Sequence, residues 1–428
     1  MVSKIFPIRI MQHMVSKKVP ILTLPALLLI LISFVSCGNR ADWIMFRGEG
    51  GRGATQGTLH PPLGIKWKLR LQPGDNPTPA FNPPIVKGDT IFFGSTDGNF
   101  YALDIKSGYM RWVFNTEGLI NSIPFADDEY VYFGSNDGKV YAVSIEDGLE
   151  AWSFKTESTV QSIIVRYEDS VIFSSDGGST YFLSLEGVLQ YRMPNPVWHY
   201  SAFQVYENVV YFAPGPIERP HSLGALDIDQ KTYLWILDTA ALGATWYSFP
   251  ALKGDHLLFS TCSSRRQYLE LNYYAYNRET GELIWKYSDE SIWGDRVSID
   301  PDTLFIQNLK HLDYMAPTLW KNLVVYTSGD SVVRAFHYRK GSLAWLRHFD
   351  HSTSSAPTIA GDRIYFGLRG DSSPDGRKPR LICLSVRNGK KLWEMELDGA
   401  LLSAPVIAGK WLIFGTDENL FYVLEELY

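Results

Sequence analysis

Tyr101-Ala-Leu-Asp-Ile-Lys-Ser-Gly-Tyr-Met-Arg-Trp112-Val-Phe114 returns forty residues later as Tyr141-Ala-Val-Ser-Ile-Glu-Asp-Gly-Leu-Glu-Ala-Trp152-Ser-Phe154. Each copy follows an apolar run and a tight turn, Ile91-Phe-Phe-Gly-Ser-Thr-Asp-Gly98 and Val131-Tyr-Phe-Gly-Ser-Asn-Asp-Gly138. Self-similarity at this period marks a solenoid, propeller or array, whose units bury their faces against one another. The Gly-x-x-x-Trp core can be followed through Gly108/Trp112, Gly148/Trp152, Gly281/Trp285, Gly341/Trp345 and Gly389/Trp393. Two copies are degenerate: Gly187 is followed by Tyr191, and Trp235 has Lys231 at the glycine position. Asp-Gly and Ser-Gly pairs supply the positive φ of hairpin turns. The alternating Val, Ile, Tyr and Phe runs between them read as half-buried strands. A Trp on the last strand of each unit offers a large apolar face to the neighbouring unit.

Eight first strands can be counted, starting at Asn82, Ser122, Ser162, Ser201, Ser248, Ala316, Ser355 and Ser403. The last unit runs out at Tyr428 after three strands, while Leu63-Gly-Ile-Lys-Trp67-Lys-Leu-Arg-Leu71 has the outer-strand pattern and precedes the first unit. Pairing that N-terminal strand into the last unit removes the exposed edges of an open array. The expected fold is all-β: an eight-bladed β-propeller of four-stranded antiparallel blades over residues 63–428, closed by an N-terminal strand. Aromatic content of 14%, with 35 Gly and 23 Pro, suits many short strands and turns.

Residues 1–36 read as a targeting segment. Lys17 and Lys18 precede an apolar stretch at 21–32, shorter than the roughly 20 residues of a membrane span. Phe34-Val-Ser-Cys37-Gly38 resembles the lipobox of bacterial lipoproteins. The resemblance implies cleavage before Cys37, acylation of Cys37, and a lipidated segment at 37–62. An ordinary cleaved signal peptide or an uncleaved anchor is the alternative, and Met14 offers a second start. No aspartate follows Cys37 and no acidic run occupies 36–41. The expected location is the outer membrane, lipid-anchored on the periplasmic side, with inner membrane and cell surface left open. Removing residues 1–36 takes away Lys4, Arg9, Lys17, Lys18 and no acid, so the net charge of −6 becomes about −10. An acidic domain without a basic tract argues against nucleic acid. Cys262 and Cys383 fall two blades apart, which argues against a disulfide.

The pattern Ala-x-Asp-x-x-x-Gly-x-x-x-Trp-x-Phe, intact from Ala102 to Phe114, resembles the blade motif of the PQQ-like (quinoprotein-like) propellers. Asp42-Trp43-Ile-Met-Phe46-Arg47-Gly48 is similar to a stretch that precedes many bacterial propellers of this kind. The resemblance covers about residues 42–428. One branch of the family, the quinoprotein dehydrogenases, binds PQQ and calcium, and many members carry adjacent cysteines. Here no two cysteines adjoin, and no calcium set or catalytic aspartate can be assigned by motif. The other branch is the propeller lipoprotein of the outer-membrane β-barrel assembly machinery. That likeness implies a non-enzymatic, lipid-anchored scaffold without cofactor. The alternative is a propeller that binds PQQ or another ligand and has oxidoreductase activity. His348 and His351 form a His-x-x-His on a loop with no third ligand in view. No Gly-x-Ser-x-Gly, His-Glu-x-x-His or phosphate loop occurs.

Call the strands of each blade A to D from axis to rim. Up-and-down pairing then puts the A–B and C–D turns on one face and the B–C and D–A connections on the other. The A–B and C–D turns are short, whereas insertions at 214–222, 262–269 and 369–380 lengthen B–C loops and 288–313 lengthens a D–A connection. A rigid scaffold elaborated on one face binds there. The candidate partner-binding residues are Trp198, His199, Tyr200, Trp246, Tyr247 and Trp293, with Arg265, Arg369, Arg377 and Arg380. Aromatics and arginines suit an envelope protein or peptide partner, met by a monomer within a complex. The plainer reading is that these aromatics only cap the ring.

Overall fold

The computed structural model describes residues 42–48, 51–71, 82–194, 202–213, 222–238, 242, 246–265, 268–292, 316–328, 330–371, 376–401 and 403–427. The repeat folds into eight blades of four antiparallel strands, in sequence order in the first seven, with a short fifth strand added to blades five and seven and no α-helix among the described residues. Strands A and B of a blade are almost wholly buried, as in Ile85–Lys87 and Thr90–Gly94. Strand D alternates, as in Met110–Asn115 with Trp112 turned inward. This gradient is what strands stacked from axis to rim require.

The ring closes as the sequence predicts. Leu63–Arg70 pairs antiparallel with Leu420–Glu426 and becomes strand D of blade eight, in register from Leu63 opposite Glu426 to Arg70 opposite Leu420.

The Trp of the repeat is a latch between blades. Six of the seven repeat indoles, all but Trp393, donate through Nε1 to a carbonyl in the C–D turn of the next blade: Trp67 to Ile105, Trp112 to Ile145, Trp152 to Leu185, Trp235 to Arg278, Trp285 to Tyr338 and Trp345 to Val386, at 2.6–3.0 Å. The same indole lies beneath the glycine of that turn. A Cβ on Gly148 would stand 2.7 Å from Trp112, and one on Gly281 would stand 2.7 Å from Trp235. The glycine therefore serves twice, by adopting φ of +74° at Gly148 and by leaving room for the neighbour's ring. The two degenerate copies are the two halves of one latch. Tyr191 replaces the Trp of blade three, Lys231 replaces the glycine of blade four, and the Lys231 ammonium sits 4.6 Å from the Tyr191 ring centre. A smaller aromatic makes room for a side chain, and a cation–π contact takes the place of indole packing.

Serine at the start of strand A has a role of its own. The hydroxyls of Ser122, Ser162, Ser248 and Ser355 accept from the amides of Gly134, Ser174, Ser260 and Gly367, each twelve residues on, at 2.7–3.0 Å. Each bond ties a buried strand start to strand B and satisfies a backbone donor.

The N-terminal arm at 42–60 packs into the ring. Trp43 bridges Val86, the Ala126 amide donates to the Ile44 carbonyl at 2.9 Å, and Ala54–Thr55 adds a parallel fifth strand inside blade seven. Phe46 joins the inner-strand starts of six blades in one apolar cluster with Ile123, Ile163, Phe249, Ala316, Ala356 and Ala404, and meets Phe249 edge-on at 5.0 Å. Arg47, 2% exposed, donates to the carbonyls of Pro357 at 3.1 Å and Pro317 at 3.0 Å, and to Thr318 Oγ1 at 2.6 Å. The arm thus fills the axis from the A–B side and stitches blades one, two, six and seven together.

Candidate functional site

The arm leaves the two faces of the ring unequal. Its contacts, Asp42 with the Gly88 amide at 2.9 Å and Thr58 beneath Gly361, lie at A–B turns. The face with the B–C and D–A connections is the one that carries the insertions.

Among the described residues, blade five rises highest on that face. The stretch 262–269 was expected as a loop, but Cys262–Arg265 continue strand B, and strand C begins at Tyr268. The reason lies in the register: Cys262 pairs with Leu271, Ser263 with Glu270 and Arg265 with Tyr268, so the ladder between strands B and C continues without a shift to Arg265. Strand D likewise runs from Leu283 to Ile292, which moves 288–292 out of the expected connection and into the sheet. Strands B, C and D of blade five have ten residues each, against five or six in blade one. At roughly 3.3 Å per residue, the blade stands about 15 Å taller. Trp246 and Tyr247 form a short strand opposite Cys262 and Thr261, on the axial side of this raised sheet. Arg265 lies at its tip.

Blade seven holds the three remaining arginines. Arg377 and Arg380 both bond to Asp350, which comes from the connection between blades six and seven. His351 Nε2 lies 2.8 Å from Asp371 Oδ1, and the Arg377 amide donates to Asp371 Oδ2 at 2.9 Å. Arg380 also reaches Glu394 at 3.4 Å. These two arginines are therefore spent largely on ordering their own loop. Arg369 donates its amide to the Ser352 carbonyl at 2.9 Å, and hydrogen-bond pairing of its guanidinium is absent among the described residues. The structure thus gathers Arg377 and Arg380 on one carboxylate and keeps them two blades from Trp246, Tyr247 and Arg265. Cys37, Trp198, His199, Tyr200 and Trp293 lie outside the described residues.

Sequence reasoning missed a buried ion network where blade six meets the raised part of blade five. Arg334 donates to Asp330 Oδ2 at 2.6 Å, Asp330 Oδ1 at 3.1 Å, Ser328 Oγ at 3.1 Å and Asp289 Oδ2 at 2.9 Å. Its side chain is 4% exposed and that of Asp330 is 1% exposed, so the charges are compensated almost without water. Burial works against the guanidinium charge, but Tyr273, Asp330 and Asp289 hold its pKa above the ordinary arginine value. The signal was in the repeat. Tyr101 bonds Asp97 four residues earlier at 2.6 Å, Tyr141 bonds Asp137 in the same way, and Arg334 stands at that tyrosine position with Asp330 at that aspartate position.

The ring axis, where a propeller could hold a cofactor, is filled by Phe46 and Arg47. Among the described residues no three His, Cys, Asp or Glu side chains gather as a metal site.

The family model described as outer membrane protein assembly factor BamB matches residues 64–190 and 219–373. Among curated proteins, none matches. Several solved structures share the fold. BamB from Moraxella catarrhalis is 16% identical, with TM-score 0.56 over 85% of this chain and 99% of that one. A quinohemoprotein alcohol dehydrogenase from Pseudomonas putida is 14% identical, with TM-score 0.63 over 90% of this chain and 80% of that one. A europium-containing methanol dehydrogenase is 12% identical, with TM-score 0.59 over 90% of this chain and 98% of that one.

Proposed function

The chain belongs to the family described as outer membrane protein assembly factor BamB, and on that premise we propose that it is a non-enzymatic, lipid-anchored envelope scaffold. In this reading it binds a protein or peptide partner of outer-membrane protein assembly. Cys37 carries the anchor, and the partner docks on the insertion face around the raised sheet of blade five.

The observation that supports this reading is the asymmetry of the faces. One is covered at its centre by the chain's own arm, whereas the other carries a sheet that overtops its neighbours. The raised strand D, Leu283–Ile292, is the outermost strand of its sheet. The unpaired groups of that rim edge suit an extended partner strand, and Trp246 and Tyr247 at the opposite, axial edge of the same raised sheet supply aromatic anchors. Interface hot spots of this kind contribute about 2 kcal/mol or more each.

The test is crosslinked recovery of partners from envelope membranes. Trp246→Ala or Trp293→Ala should lower recovery at least tenfold with little change in melting temperature, and Lys106→Glu, in a C–D turn of the other face, should leave it unchanged. The reverse outcome would place the working face on the wrong side. The likeness of fold to quinoprotein dehydrogenases motivates a second reading, a PQQ-dependent oxidoreductase. Stoichiometric PQQ uptake, followed by absorbance with calcium present, would favour it over the scaffold.

A further inference from the structure

The face covered by the arm carries an uneven charge that a partner on the opposite face does not use. Blade six presents Lys321 and Asn322 at its A–B turn and Arg339 and Lys340 at its C–D turn, with no acid among them. Lys253 of blade five and Arg52 of the arm join this group. The Leu319 amide donates to the Arg52 carbonyl at 3.1 Å. Lys253 donates to the Lys321 carbonyl and lies 5.0 Å from the Tyr338 ring centre, with Arg339 5.6 Å from the same ring. Lys321 lies over Trp320 at 4.7 Å.

Three cations are thus seated on two aromatic rings, with Arg52 close enough for Lys253 to feel its charge and Lys340 next to Arg339 in the same turn, and among the described residues none of the five makes an ion pair. Asp255, at the same blade-five turn, is bonded to His256 at 2.5 Å, and His256 first, with Arg339 a weaker contributor, holds its carboxyl below the ordinary value. The crowding is felt: burial, then Arg52 and Arg339, push the Lys253 ammonium below the ordinary lysine value. Blade two, directly across an eight-bladed ring, carries Asp127, Asp128, Glu129, Glu146 and Asp147 at the corresponding turns and no base of its own; Arg166 of blade three and Lys87 of blade one pair with Asp127 and Asp128, which leaves Glu129, Glu146 and Asp147 without a cation among the described residues. The polarity therefore runs across one face of a chain that is acidic overall.

We propose that the blade-six edge leans on the anionic phospholipid surface of the membrane that holds the chain, an inference that rests on acylation of Cys37. Only residues 38–41 separate Cys37 from Asp42, a tether that spans at most about 18 Å when fully extended. Asp42 is bonded to Gly88 in the A–B turn of blade one on this same face, where Lys87 also pairs with it, so the chain enters the ring on the side that would face a nearby bilayer. Basic groups are attracted to the anionic leaflet within a Debye length of about 10 Å, and acids are repelled over the same range. Blade six settles, blade two lifts, and the insertion face turns away from the lipid.

The experiment compares the full chain carrying Cys37→Ala with the same chain also carrying Lys321→Glu, Arg339→Glu and Lys340→Glu. Partition is measured on phosphatidylglycerol vesicles and on phosphatidylcholine vesicles. Each basic residue near an anionic surface contributes about fivefold, so the triple reversal should lower partition onto phosphatidylglycerol by about a hundredfold or more and flatten its salt dependence. Partition onto phosphatidylcholine, and the unfolding midpoint, should not change. Glu146→Lys with Asp147→Lys should strengthen binding to phosphatidylglycerol. Equal binding by the reference and the triple variant would overturn the proposal. A concentration-dependent dimer dispersed by the triple reversal would overturn it too, by assigning the edge to a second copy of the chain. Acyl labelling of the unsubstituted protein is read separately. Absent label with charge-dependent binding intact would sink the anchor alone, and label with charge-independent binding would sink the edge alone.

Discussion

Gly148→Ala isolates what holds one blade to the next. The substitution adds one methyl group to an exposed C–D turn, where a surface change is ordinarily near neutral. Two costs arise here. The residue has φ of +74°, and holding an L side chain in the left-handed region costs about 1–2 kcal/mol. The new Cβ would also lie 2.7 Å from Trp112 Cδ2 and 2.8 Å from Cγ. The indole cannot simply retreat, because its Nε1 is bonded to the Ile145 carbonyl at 3.0 Å and the ring is 9% exposed. Overpacking of this kind costs about 1–3 kcal/mol, for a total of about 2–5 kcal/mol. Gly254→Ala is the matched control, with φ of +59° and nothing within 4 Å of the added Cβ, so only the backbone cost of about 1–2 kcal/mol applies. Equilibrium unfolding in guanidinium should place Gly148→Ala below Gly254→Ala by about 1–3 kcal/mol at unchanged slope. Placing Trp112→Phe beside Gly148→Ala should reduce that excess, because the bulk beneath the turn is gone. Equal losses for the two glycine variants would show that the indole is not the reason for the glycine, and the latch would have to be abandoned.

Ring closure makes a second prediction. Trp67→Ala should cost about 3–5 kcal/mol, because Trp67 reaches Ile105 of blade one and stacks on Phe421 of blade eight; deleting residues 41–72 should give an aggregating protein with an open edge. A deletion with an unchanged unfolding midpoint would mean that the ring does not depend on this strand. The third concerns Arg334. Arg334→Ala leaves Asp330 buried without its partner and should cost about 3–5 kcal/mol. Arg334→Tyr, which restores the repeat's own residue opposite an aspartate, should recover at least half of the loss. No difference between the two variants would show that Asp330 does not need a donor.

Much of the architecture was legible because repetition multiplies weak signals. A single Asp-Gly turn says little, whereas five spaced Gly-x-x-x-Trp elements with matching turns and alternating runs admit few folds. The blade count and the closing strand followed from counting first strands and finding a surplus at one end and a deficit at the other. The degenerate copies were visible as Tyr191 and Lys231, but not as partners. They lie forty residues apart, and only the stacking of blade three on blade four brings that ammonium over that ring. The Arg334 network was legible in part, since Asp330 lies four residues away, but Asp289 comes from a different blade.

By itself the sequence determined everything that depends on local pattern: strands, turns, the number of blades, the strand that closes the ring and the side on which insertions fall. Periodicity and turn chemistry act over a few residues, and a repeat prints them again and again. Tertiary structure alone decided that 262–265 and 288–292 are sheet and not loop, because a strand's extension is set by the partner it pairs with. It alone threaded Phe46 and Arg47 into the axis, and it alone gathered Arg52, Lys253, Lys321 and Arg339 on one edge while setting Arg377 and Arg380 on Asp350. Those arrangements join residues tens to hundreds of positions apart. Which charges meet across such separations is set by closure of the ring, not by any spacing along the chain.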